Sequence, residues 1–146
     1  MAYRRDAIEA IGNFDRALGA GSRFRSAEDW DVQLRALLRG WKVLHTPDVF
    51  VVHHGFRTWA EGREHAGRDW FGNGAVVGKL LRVGHPSFTL VAAWVFARET
   101  LLPPFLDLLH GRRPRGLLRI TSFIRGVVAA FRAPIDRETM CFVDKP

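Results

Sequence analysis

The sequence predicts an α/β chain: short strands and a helix with an acidic start in its first two-fifths, then a mostly helical C-terminal region. Three features lead there. Residues 26–40, SAEDWDVQLRALLRG, set Trp30, Leu34, Leu37, Leu38 and Trp41 along one helical face. Two short extended runs, WKVLHT and VFVVHH, flank the turn-like Pro47-Asp48. Beyond Gly55 the pattern is helical to residue 133, with no internal repeat and no low-complexity segment.

In order along the chain, AYRR reads as the end of a strand and DAIEAIG as a short helix closed by Gly12. The loop NFDRALGAGSRFR follows, then the helix after Ser26, which Gly40 stops. RTWAEGREHAGRDWFGNGAVVGKLLRVG is helical and polar, and its glycines argue against one unbroken helix. Residues 88–109 form a second helix, bent or split at Pro103-Pro104. A third spans 113–134, with Ile120, Phe123, Ile124, Val127, Val128 and Phe131 on one face and Arg115, Arg119, Arg125 and Arg132 on the other. The tail from Pro134 is expected to be short and poorly packed. The expected units are 1–57, 58–133 and the tail 134–146.

At 146 residues the chain is one domain or a piece of a larger one, and 47% hydrophobic with 25% charged residues is ordinary for a soluble globular protein. The net charge is +7, and residues 79–146 hold +6 of it, with eleven Lys and Arg against five Asp and Glu. That half suits anionic partners. The single Cys141 rules out an internal disulfide and is compatible with a reducing cytosol. Met1 leads into AYRRDAIEAIG, which lacks the apolar core of a signal peptide. The longest apolar run, Phe88 to Ala97, is ten residues, short of the about 20 that cross a bilayer, so a buried or interfacial helix is expected.

Glu28, Asp29 and Asp31 crowd the front of the 26–40 helix. A structural account covers each of them. Ser26 suits an N-cap with Asp29 close to capping-box spacing, acids in the first turn offset the helix dipole, and Asp31 with Arg35 is an i,i+4 pair. A catalytic account needs support from the surrounding sequence, and the order of segments supplies it. AYRRDAIEAIGNFD, then LGAGSRF, then AEDWDVQLRALLRGWKV, then TPDVFVVHHG resembles the C-terminal half of the catalytic domain in family 2-type glycosyltransferases, the inverting, nucleotide-sugar-dependent enzymes of the GT-A fold. The likeness covers residues 2 to about 57.

The resemblance implies a partial GT-A fold and a set of roles. Asp29 would be the general base that takes the acceptor proton, and Glu28 a supporting acid. Asp31 and Arg35 would hold the helix in place. His53 or His54, with His53 matching first, would contact the metal or diphosphate, the metal being Mg²⁺ or Mn²⁺. Arg4 and Arg5 suit diphosphate contact or form an exposed basic pair. Trp30 either stacks on an acceptor sugar or packs in the core. Asp29-Trp30-Asp31 spells a DxD but opens a helix, where the two carboxylates stand about 200° apart and do not chelate one ion.

The partners implied are a nucleotide-sugar donor and a glycan or lipid-linked acceptor. The nucleotide-binding half of such a domain is expected N-terminal to residue 1, leaving this chain incomplete and inactive without it. The basic C-terminal helices suit an anionic membrane surface, which predicts a cytoplasmic protein peripheral at the inner face of the cell membrane. An alternative from another class is a non-catalytic remnant that binds a membrane surface or a partner. Nucleic acid is not expected as a partner, since the arginines belong to amphipathic helices and no nucleic-acid motif is present.

Overall fold

The computed structural model describes residues 2–48, 50–52 and 58–143. It is 60% helical, with no strand among the described residues and one isolated antiparallel bridge, Ile135 to Phe142. The α/β expectation, the partial GT-A fold included, is therefore corrected to a mainly helical chain. The reason is physical: an extended run becomes a strand only when a neighbour completes its ladder of hydrogen bonds. Residues 41–46 and 50–52 find no such neighbour among the described residues, and Leu44, Phe50, Val51 and Val52 stand exposed. AYRR passes directly into helix at Arg5.

Six α-helices follow in order among the described residues: α1 Arg5–Ala10, α2 Glu28–Leu38, α3 Trp59–Val83, α4 Pro86–Phe96, α5 Leu102–Leu109 and α6 Leu117–Phe131. A π-helical turn, Ala97–Leu101, joins α4 to α5. α2 ends where expected, with Gly40 left-handed at φ +80°. Its buried face is Asp31, Val32, Leu34 and Arg35, while Leu37 of the expected stripe is exposed.

α3 is one unbroken helix of 25 residues, contrary to what its glycines suggested. A full capping box starts it: the Thr58 hydroxyl accepts from Glu61 N–H, and the Glu61 carboxylate accepts from Thr58 N–H at 2.7 Å. Its glycines are contact points. A Cβ at Gly78 would lie 2.8 Å from that of Ala130, and one at Gly74 would run into the carbonyl of Phe123. From the other side, a Cβ at Gly126 of α6 would run into the Phe71 carbonyl. Small residues thus let two backbones touch, and α3–α6 is by far the largest helix–helix contact. Burial against α6 offsets the roughly 1 kcal/mol per glycine that propensity alone charges against a helix.

This contact also decides which face of α6 is inside. Ser122, Phe123, Gly126 and Ala130 are buried, whereas Ile124, Val128 and Phe131 of the expected apolar face are exposed. Phe123 joins Val77 and Ala92 in one apolar cluster and stacks on Phe96 at 3.9 Å between ring centroids. A second cluster gathers Leu18, Phe24, Leu34, Val76, Leu80 and Phe142. Phe142 belongs to the tail, which is therefore packed up to residue 142, with Met140 and Phe142 buried.

The α4–α5 segment widens into the π turn just before Pro103-Pro104, where prolines that lack an N–H cannot donate to the preceding turn. No helix among the described residues is long and apolar enough to cross a membrane.

Two glycine substitutions should move stability in opposite directions. Gly126→Ala should lower the unfolding free energy by about 1–3 kcal/mol, because the obstacle is backbone. Gly62→Ala, whose Cβ would meet nothing within 4 Å, should raise it by about 0.5–1 kcal/mol through helix propensity alone. Urea denaturation of both variants measures this.

Candidate active site at the start of α2

The backbone that delivers α2 is strained. Arg25 at φ +68° and Ala27 at φ +75° are both left-handed without being glycine, a conformation that persists only where the surroundings enforce it and that clusters at functional sites. Ala27 is the residue before the helix, and no side chain caps it. Ser26, the expected cap, instead donates to Asp69 Oδ1 at 3.0 Å. The capping-box account of Asp29 is thereby removed, and its carboxylate is not spent on its own backbone.

Asp29 is exposed in the first turn of α2. Its Oδ1 accepts a hydrogen bond from the Tyr3 hydroxyl at 3.2 Å, across 26 residues of sequence. Among the described residues its second oxygen carries no hydrogen bond. The Tyr3 ring is held edge-on against Phe14, 5.7 Å between centroids at 87°. Burial chiefly, then the Asp29 charge, its hydrogen bond and the Glu28 charge, push the Tyr3 hydroxyl up to about 12. It is therefore a protonated donor to Asp29 at any physiological pH. Glu28 is half-buried, with its carboxyl end beside Gly19 of the preceding loop.

Beneath this corner lies a closed set of four charges. Asp31 Oδ2 pairs with Arg35 Nε at 2.8 Å and Asp31 Oδ1 with Lys79 Nζ at 2.6 Å. Lys79 also pairs with Asp15 Oδ2 at 2.7 Å. All four side chains are almost fully buried and their formal charges cancel. The remaining polar atoms are satisfied by backbone. Arg35 donates to the carbonyls of Ile11 and Asn13, and Asp15 accepts from the N–H of Ala17 and Phe142. The Lys79 ammonium also faces the Phe142 ring, 4.9 Å from its centroid. The loop after α1, helices α2 and α3, and the tail are thus tied at one point.

The expected site residues separate clearly. Asp29 and Glu28 meet at the open end of α2 with Tyr3. Asp31 and Arg35 are interior. Trp30 is half-buried and packs against both apolar clusters. Arg4 is exposed, pairs with Asp6 at 2.5 Å and lies over the Trp41 ring. Arg5 is exposed at the start of α1. His53 and His54 lie outside the described residues.

No group of three or more His, Cys, Asp or Glu side chains converges among the described residues, and both oxygens of Asp31 are held in ion pairs.

Sequence reasoning missed Tyr3, Asp15 and Lys79. A signal for Lys79 existed, since it is the lone charge in the apolar run GAVVGKLL. Tyr3 had none, because its partner is distant in sequence. Comparison with protein-family models, with curated proteins and with solved structures finds no match to this chain.

Two measurements test this geometry. Tyr3 is the only tyrosine in the chain, so tyrosinate absorbance on alkaline titration reports it alone. Its midpoint should fall near 12, and Asp29→Asn should bring it down, though not below about 10, since burial remains. Lys79→Met should leave two buried carboxylates facing each other and lower stability by about 3–5 kcal/mol by chemical denaturation.

Proposed function

We propose that the chain acts in inverting glycosyl transfer from a nucleoside-diphosphate sugar to a glycan or lipid-linked acceptor, with Asp29 as the general base. The observation that carries this is the division of labour on one helix. Asp29 presents an exposed carboxylate oriented by Tyr3, while Asp31, two residues on, is locked inside. The order of motifs along residues 2–57 adds to it.

The chemistry requires little more than placement. The acceptor oxygen attacks the anomeric carbon as the bond from that carbon to the diphosphate oxygen breaks. The electron pair leaves with the nucleoside diphosphate, and the acceptor proton passes to the outer oxygen of Asp29. Tyr3 occupies the other oxygen, which fixes the rotamer and directs the open one outward. In this proposal the donor-binding groups come from a nucleotide-binding half that works with this chain, on the cytoplasmic side of a membrane.

Transfer of labelled sugar is the direct test, with the chain alone and with such a half supplied. Activity should appear only in the second case. There Asp29→Asn should lower kcat by about 10²–10⁴ with donor KM little changed. An Asp29→Asn enzyme that turns over normally overturns the proposal.

A further inference from the structure

The α4–α5 segment is apolar on both sides. Its inner line, Phe88, Ala92, Phe96, Thr100, Pro104 and Asp107, is turned toward the body of the protein, with Ala92, Thr100, Pro104 and Asp107 buried. Its outer side presents Trp94, Leu101, Leu102, Phe105, Leu108 and Leu109, all exposed, Trp94 by 61% and Phe105 by 56%. Part of this side forms an open groove of about 620 Å³ bounded by Trp94, Ala97, Arg98, Leu101, Leu102 and Phe105. A helix that is apolar all round belongs in a core or against lipid, and no described residue covers this one.

The surrounding charge identifies what does. Arg98 lies over the Trp94 ring at 5.4 Å, which sets an aromatic ring and a cation side by side at the rim, and makes only a loose, exposed pair with Glu99 at 3.6 Å. Arg112 and Arg113 are exposed immediately after Leu108 and Leu109. Asp107, the acid nearest them, is buried and neutralised by Arg115 through bonds of 3.0 and 2.8 Å. Arg115 neutralises Asp107 while most of its own side chain stays exposed. Aliphatic side chains flanked by tryptophan and arginine, on a segment interrupted by Arg98-Glu99, form the pattern of a helix lying in the plane of a bilayer.

We infer that the outer face of α4–α5, with Arg98, Arg112 and Arg113, is a surface that docks on an anionic lipid bilayer. The apolar side chains enter the level of the acyl chains and the arginines meet lipid phosphates. The surface lies on a different part of the chain from Asp29 and stands whatever that carboxylate does.

Flotation of the full chain with vesicles tests it. The protein should float with phosphatidylcholine–phosphatidylglycerol vesicles, and much less with phosphatidylcholine alone or at high salt. Arg112→Ala with Arg113→Ala should weaken anionic-vesicle binding about thirtyfold. Leu102→Glu with Phe105→Glu should abolish it with helical circular dichroism unchanged. Should that pair unfold the chain, brominated lipid provides a second reading: bromine should quench the wild-type tryptophan fluorescence, and Trp94→Phe should lose most of that quenching. Three results overturn the inference: no flotation of the wild type, flotation unaltered by the two glutamates, or a dimer that the glutamates dissociate in a chain that never binds vesicles.

Discussion

The structure depends on one buried constraint, the neutral square of Asp15, Lys79, Asp31 and Arg35. Each charge comes from a different stretch or turn, and each is 1% exposed. In a dry interior the attraction among such groups roughly offsets the loss of their hydration, so the set adds little net stability. It contributes specification. A loop without regular structure, two helices and a tail must all arrive in register before all four charges are partnered.

That constraint explains how an exposed carboxylate comes to be accurately placed. α2 is short, uncapped by any side chain, and entered through two left-handed residues. Left to its own propensity it would fray. Asp31 and Arg35 anchor it from beneath while Gly72 of α3 lets the Ser26 carbonyl approach the neighbouring helix. Asp29, on the opposite side of the same turn, inherits a fixed position from partners it does not touch. The rigid α3–α6 pair then serves as the base plate for both the α2 corner and the α4–α5 limb.

Much of this was legible in the sequence, for reasons that differ by element. α2 and its Gly40 stop follow from periodicity, and the Asp31–Arg35 pairing from i,i+4 spacing. The continuity of α3 was not legible, because a scale of intrinsic propensity counts Gly74 and Gly78 as losses and knows nothing of the helix they admit. For the same reason the inner face of α6 was misread. Gly126 and Ala130 decide it, and small residues carry no hydrophobic signal. Residues 41–46 and 50–52 have the composition of strands, yet a strand is a property of two paired segments, and neither run finds a partner among the described residues. At the candidate site the acids were visible, but the separation of an outward Asp29 from an inward Asp31 needed the partners Lys79 and Tyr3, both remote in sequence.

The wide turn at Ala97–Leu101 has an arithmetical effect on the limb that carries it. In an ordinary helix, positions four apart creep about 40° per step. The inner line from Phe88 to Pro104 would therefore wind about 160° around the axis and carry its end away from the protein. Taking up one additional residue in the wide turn removes about 100° of that creep. Phe88 and Asp107, which an uninterrupted helix would set about 100° apart, can thus belong to the same seam. The length of this turn, more than the identity of any residue in it, sets the direction in which the limb faces.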